Sequence, residues 1–410
     1  RILFLLSFLF VCGFSAKWAL LVAGSAGYSN YRHQSDICHA YHILRDTGRI
    51  PASNIITIMK DDVANSPSNP YPGNLINRPG GPNVYSGVKI DYRGSACTPG
   101  NVLNILKGNS TGIIGGNGKV IRSTSDDEVF FYYADHGGTG LVAMPNDGYL
   151  YAQDLVEALT SMTFARMVVY IEACHSGSMF PGLPTNINLY ATTASTASQS
   201  SYAYYYDSSR RTYLGDEYSI RWMENTDASK MNQQTVGKQF DTVKSQVKGS
   251  QCQQFGDTRL RSDIIGAYQG TMASVLKGVE MNISNPYDRD SYSNADGQRV
   301  SSYDVQLQIL LRQLQDEPSN DPSVMNQIKL ELASRQRIDE IVESIVVQVD
   351  GSNAIMNQDI VELQNHDCHK AVIEGFKSIC GPFSDYGMKH IKNFAIMCDR
   401  GYEVEKILAA

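Results

Sequence analysis

The chain has 410 residues, a formal net charge of −7, 42% hydrophobic residues and 19% charged residues. That length exceeds what one core ordinarily fills, so two domains are expected, and the ordinary apolar content excludes wholesale disorder. An acidic balance with no cluster of Lys and Arg excludes a nucleic-acid-binding surface.

Residues 1–16 open on Arg1, continue as an apolar run and end in small residues at Gly13, Ser15 and Ala16. This reads as a secretory signal peptide, incomplete at its N-terminus, with cleavage expected near Ser15 or Ala16. No later stretch has the length and apolarity of a membrane helix, so no membrane attachment is expected after the signal is removed. Export makes Asn109-Ser-Thr111 and Asn282-Ile-Ser284 candidate glycosylation sites. Of the eight cysteines, Cys12 lies in the leader. The odd number left requires at least one thiol that stays free or pairs outside the chain.

Residues 18–23 form a short apolar run ending at Gly24, the pattern of a buried parallel strand. Ile37, Ala40, Tyr41 and Leu44 recur at helical spacing, and Gly48 and Pro51 stop that helix. Further strands are expected over 55–59, 129–133, 167–171 and 187–192, with a helix over 154–162. Strands separated by helices imply an α/β layered sheet with helices on both faces. The Pro-, Gly- and Asn-rich stretch 65–98 reads as a long irregular surface loop. Residues 282–302, with few large apolar side chains, read as linker. Beyond it only helical periodicity remains, in Leu307, Leu310, Leu311 and Leu314 and again in Ile338, Ile341, Val342, Ile345 and Val349. The expected division is 17–281 for the α/β domain, 282–321 for the linker and 322–410 for a small helical domain.

Two of the expected strands end in reactive residues. One runs into Asp135-His136-Gly137-Gly138, the other into Glu172-Ala-Cys174-His175-Ser-Gly177. Loops after the C-terminal ends of parallel strands meet along one sheet edge, so a His and a Cys distant in sequence can approach there. A thiolate is a strong nucleophile, and an imidazole can take its proton and later return one to a leaving amine. Backbone N–H groups near Gly137 and Cys174 could form an oxyanion hole, since the glycine lets the chain approach a carbonyl closely. Taken alone, a Cys and a His are more often a buried thiol and an unrelated imidazole.

Residues 17–256 resemble the legumain family of asparaginyl endopeptidases. The resemblance is carried by Val22-Ala-Gly-Ser25, Asn30-Tyr-Arg-His-Gln34, Asn77-Arg-Pro79, Asp135-His-Gly137, Glu172-Ala-Cys174, Ser176-Gly-Ser178 and Tyr213-Leu-Gly-Asp216. It implies a caspase-like fold and no cofactor or metal. It makes Cys174 the nucleophile, His136 the general base and Asn30 the residue that orients the imidazole. Arg32, His33, Glu172, Ser201 and Asp216 would form the pocket for the substrate's P1 side chain. An asparagine offers a carbonyl acceptor and an amide donor together, and Arg32 against Glu172 and Asp216 would satisfy both. Ionised aspartate would be repelled there, so cleavage after Asp is expected only at acidic pH.

Where family members commonly carry an acidic residue after the nucleophile, this chain has His175. A charged imidazole there would favour the thiolate; a solvent-facing one would do little. Residues 322–410 resemble, more loosely, the death-domain-like prodomain of the family, implying an intramolecular inhibitor of the zymogen. The resemblance puts self-cleavage at Asn320, with Asn282 to Asn294 as alternatives, and implies a Cys368–Cys398 disulfide. His366-Asp-Cys368-His369 could also be read as metal ligands, a reading the disulfide displaces. The expected partners are peptides and proteins with exposed Asn, and the expected location is the lysosome or vacuole, or outside the cell. The rival readings are a peptide ligase or transamidase on the same scaffold, and a catalytically silent binding protein.

Overall fold

The computed structural model describes residues 15–146, 148–270, 299–316 and 322–410. Most of the expected leader, Asn282 and Asn320 lie outside the described residues.

The chain begins with β1 (Lys17–Ala23), α1 (Tyr31–His42), β2 (Ile55–Ile58), α2 (Pro99–Leu106) and β3 (Glu128–Ala134). A small hairpin sheet follows, β4 (Gly137–Gly138), β5 (Leu141–Met144) and β6 (Gly148–Tyr151), then α3 (Ala152–Ser161), β7 (Arg166–Glu172) and β8 (Leu189–Thr193). Next come β9 (Tyr202–Asp207), β10 (Thr212–Asp216), α4 (Glu217–Ala228), α5 (Val236–Gln246), β11 (Gln253–Gly256) and α6 (Gly266–Gln269). The main sheet has the order β11-β8-β7-β3-β1-β2. Its strands pair in parallel except β11, which closes one edge antiparallel to β8.

Why these runs make a doubly covered sheet is visible in β1 and β3. Leu21, Phe130 and Tyr132 pack on one face with Ile37, Tyr41 and Trp222. Leu20, Val22, Phe131 and Tyr133 pack on the other with Val102, Ile105 and Leu155. Both faces are buried, as continuous apolar runs in parallel strands require. The expected α/β layering is therefore present. The hairpin sheet and the β9–β10 pair were not anticipated, because Tyr202-Ala-Tyr-Tyr-Tyr-Asp207 lacks the alternation that marks a half-buried strand. Nor is 65–98 wholly a surface loop: Leu75, Ile76, Asn77 and Arg78 are buried.

Within the stretch expected as linker stand β12 (Val300–Ser301), which pairs antiparallel with β9, and α7 (Val305–Asp316). Then come α8 (Pro322–Asp350), α9 (His366–Cys380), α10 (Ile391–Asp399) and α11 (Val404–Ala409). A disulfide joins Cys368 of α9 to Cys398 of α10. The helices share one apolar cluster with Leu141, Tyr149 and Tyr151 of the hairpin sheet, and Cys174 and Tyr303 belong to it. The helical region thus covers the edge where β3 and β7 end. None of the described helices is long and apolar enough to cross a membrane. Asn109 is exposed, with the Thr111 hydroxyl donating to its Oδ1 at 2.8 Å.

Candidate active site

β3 and β7 lie in register with Ala134 beside Glu172. Two residues beyond that pair, on the same sheet edge, stand His136 and Cys174. The two loops touch: a Cβ at Gly137 would sit 2.4 Å from the Cys174 carbonyl oxygen, so only glycine fits. Both side chains are buried, Cys174 at 0% and His136 at 2% exposure.

Asn30 occupies the N-cap of α1, a position asparagine favours for capping, yet its side chain makes no cap hydrogen bond. Instead its Oδ1 accepts from His136 Nε2 at 2.9 Å and from Arg32 Nη1 at 3.2 Å. Its Nδ2 donates to the Ala26 carbonyl at 3.2 Å. A guanidinium on one side and a carbonyl on the other fix which way the amide points, and hence put the proton on Nε2. His136 Nδ1 is buried without a protein partner. That leaves a bare nitrogen on the neutral ring.

The first turn of α1 also carries Arg32 and His33, both 0% exposed. Arg32 Nε donates to Asp216 Oδ1 at 2.9 Å, while its Nη2 has no partner. Glu172 Oε2 accepts from the backbone N–H and hydroxyl of Ser219 at 2.9 and 3.0 Å, and its Oε1 has none. Asp216 Oδ2 faces His33 Nε2 at 3.3 Å, outside hydrogen-bonding geometry. Burial, reinforced by the neighbouring Asp216, pushes Glu172 well above the usual carboxylate range; burial raises Asp216 as well, against the pull of Arg32. Ser201 donates its backbone N–H to the Cys174 sulfur at 3.2 Å, its hydroxyl lying 3.6 Å away. So Ser201 and Glu172 stand at Cys174, while Arg32, His33 and Asp216 are joined to one another and to the neighbouring Asn30 and His136. Among the described residues His33, Asp135 and His136 hold ligand atoms within 4.8 Å of one another, the one grouping that could take a metal ion.

Two residues of the site were missed. The Tyr303 phenol donates to the Gly137 carbonyl at 2.8 Å and meets the Cys174 thiol. Asp385 Oδ2 lies 3.3 Å from His136 Nε2. No local pattern marks either one. With Tyr303 and the helices in place, burial pushes the Cys174 thiol up to about 11, over the opposing contacts with Ser201 and Tyr303. Burial alone would lower His136, but Asp385 and Asp135 outweigh it and raise the ring above its usual range.

His175 corrects an expectation. It sits in the left-handed region at φ 54°, is buried, and its Nδ1 donates to the Ala197 carbonyl at 2.7 Å. Burial lowers it to about 4, so it is a neutral ring at ordinary pH. It neither supplies an imidazolium to Cys174 nor faces solvent.

The sequence profile of the peptidase C13 family matches residues 17–271, and that of the legumain prodomain matches residues 326–410. The chain belongs to the legumain family. It is 38% identical over 404 residues to legumain of Bos taurus, covering 95% of this chain and 90% of that protein. It is 37% identical over 420 residues to the vacuolar-processing enzyme beta-isozyme of Arabidopsis thaliana, covering 96% and 85%. A caspase-1 structure from Spodoptera frugiperda aligns over 59% of this chain and 86% of that one at 8% identity and a TM-score of 0.34, a likeness too distant to assign anything. This legumain-family protein is a cysteine endopeptidase that acts on protein substrates and carries a regulatory prodomain.

Proposed function

We propose that the enzyme cleaves peptide bonds after asparagine through a thioester, and after aspartate only at acidic pH. The observation that carries this reading is the set of unpartnered atoms beside Cys174 and His136. Arg32 Nη2 is an unused donor, and Glu172 Oε1 and Asp216 Oδ2 are unused acceptors, all buried. Buried polar atoms left unpaired are costly, and a carboxamide is the side chain that offers an acceptor and two donors at once. An apolar P1 side chain would leave all three unpaired, and an ionised one would add a further negative charge beside Glu172 and Asp216, whose own charging burial already opposes.

Cys174 is then the nucleophile and His136 Nδ1 the base, with Asn30 holding Nε2–H. As the sulfur attacks, the developing oxyanion takes hydrogen bonds from the backbone N–H groups of Gly137 and Cys174. The imidazolium returns its proton to the leaving amine, and water resolves the acyl-enzyme. Tyr303 of the linker and Asp385 of the prodomain occupy this ground in the zymogen, which activates itself by cleavage at Asn320. The apolar leader supports synthesis through the secretory pathway to a vacuole or lysosome, and the vacuole is in the name of the Arabidopsis thaliana relative.

A pair of peptides differing only at P1 tests the reading. Asn is expected to be cut across the acid-to-neutral range. Asp cleavage is expected to fall about tenfold per pH unit above the carboxylate range, as the protonated fraction does. Equal cleavage of the two at neutral pH would sink the P1 assignment. Activity surviving in folded Cys174→Ala would sink the nucleophile.

A further inference from the structure

The Asn77-Arg78-Pro79 block lies in the irregular stretch between β2 and α2, yet Asn77 is 2% exposed. Its Nδ2 donates to Asp36 Oδ1 at 2.7 Å, to the Leu214 carbonyl at 3.0 Å and to Ser35 Oγ at 3.2 Å. Its Oδ1 accepts from His39 Nδ1 at 2.8 Å. Both ends of this amide are thus engaged, at a seam where α1 and β10 also meet directly through the Ser35 hydroxyl, which donates to the Leu214 carbonyl.

Those elements are the ones that carry the P1 slot. Asp36 follows Arg32 by four residues, one turn along the same face of α1. Leu214 precedes Asp216 by two residues on β10. Asp36 Oδ2 in turn accepts the backbone N–H of Asp216 at 3.1 Å. Between them Gly215 has no room for a side chain: a Cβ would lie 2.8 Å from Asp36 Oδ1. Asp36 and Asn77 themselves do not reach the slot's open atoms, so they act through the residues that do.

We propose that Asn77 is a positioning residue for the P1 slot. By tying Asp36 of α1 to the Leu214 carbonyl of β10, it holds Arg32 and Asp216 at the spacing an asparagine side chain requires. The proposal rests on the reading of Arg32, Glu172 and Asp216 as the P1 slot. Such a tie matters because a charged slot discriminates through the placement of its donors and acceptors, and a displacement of one ångström can undo it.

The test compares full-length wild type, Asn77→Ala and Asp36→Asn after acid activation, on two peptides differing only in Asn or Asp at P1, at one mildly acidic pH. In both variants kcat/KM for the Asn peptide is expected to fall about tenfold or more, chiefly through KM, and the Asn-to-Asp ratio to narrow. Iodoacetamide should inactivate Cys174 within about twofold of the wild-type rate, because the tie contacts neither the thiol nor His136 and reaches the ring only through Arg32 and Asn30. A purely structural role would lower both peptides together and leave their ratio alone, which overturns the proposal. Should Asn77→Ala fail to fold, Asp36→Asn decides, since its remaining oxygen still accepts from Asp216. A wild type without preference for Asn defeats the slot reading itself, whereas a preference that survives in both variants defeats only the role of Asn77.

Discussion

Asp385 of the prodomain and His136 of the catalytic domain share one hydrogen-bonding neighbourhood: Asp385 Oδ2 stands 3.3 Å from His136 Nε2 and accepts from Asn30 Nδ2 at 3.3 Å. A carboxylate from 249 positions downstream in the sequence therefore rests on the nitrogen that Asn30 orients. Loss of solvent around the partly covered Asp385 works against its charge, but His136 outweighs it and holds the carboxyl well below its usual range. The lowered acid supports docking above its free value near 4 and loses that support as pH falls toward its docked value. The raised imidazole supports docking below about 6.5 and loses that support as pH rises through its docked value.

The pair is thus fully effective between about pH 4 and 6.5, and it cannot be what releases the prodomain at mild acidity. Asp385→Asn keeps an acceptor and removes the charge. Asp385 is nearly half exposed, so screening limits its worth to about 0.5–1 kcal/mol. Alkylation of Cys174 in the zymogen should quicken a few-fold near pH 6 and hardly at all near pH 8, with about that energy as the source. An equal gain at both values would remove the ion pair from the account.

Buried neutral histidines are the groups on which acid would act against docking. His369 of α9 is 1% exposed, packs against Gly140 of the hairpin sheet, and its Nε2 has no partner. Burial, with His366 adding, lowers it to about 3. His175, lowered to about 4 by burial, lies under the same prodomain. For a base lowered in the docked state, docking is fully supported above about pH 6.5 and weakens as pH falls below it. Near pH 5 a ring that regains its free value on release costs the docked state about 2 kcal/mol. His369→Gln, neutral at every pH, should carry the midpoint of release to lower pH. Hydrogen-exchange protection of residues 137–151 across a pH series reads that midpoint. A midpoint unmoved or raised would refute the role of His369.

The parts of this molecule that could be read from sequence are those written in one segment. Residues 129–133 and 167–171 are apolar runs that lead into Asp135 and Glu172, and each becomes a strand whose end lies at the site. Cys174 and His136 follow from that geometry, whereas the P1 residues came from resemblance, because nothing in Arg32 or Asp216 taken singly distinguishes them from an ion pair. Composition misled in 65–98. There Asn69 Nδ2 serves the carbonyls of Ala64 and Asn74, and Asn83 serves Leu75 and Gly73, so asparagine side chains replace the ladder that a strand would supply. Residues typical of a surface loop thereby become the packing that buries Asn77. Tyr303 and Asp385 were illegible for another reason: their roles exist only once distant segments have docked.

Arg32 joins two tasks that its position on α1 makes inseparable. Nε binds Asp216, Nη1 binds the Asn30 oxygen that steers His136, and Nη2 has no partner, the atom that the proposed P1 slot gives to the substrate carbonyl. Arg32→Lys retains the charge, so the buried carboxylates Glu172 and Asp216 keep a counter-ion and the fold should survive. A lysine ammonium is a point donor and cannot reproduce a planar fork aimed at three oxygens. With Asn30 less firmly held, the imidazole loses its fixed tautomer, so kcat should fall as well as KM rise. The combined loss in kcat/KM for an Asn peptide is expected to be about a hundredfold or more. Steady-state kinetics on the folded variant separate the two tasks. A change confined to KM would show that Arg32 acts only on the P1 side chain, and that Asn30 keeps the ring in place without it.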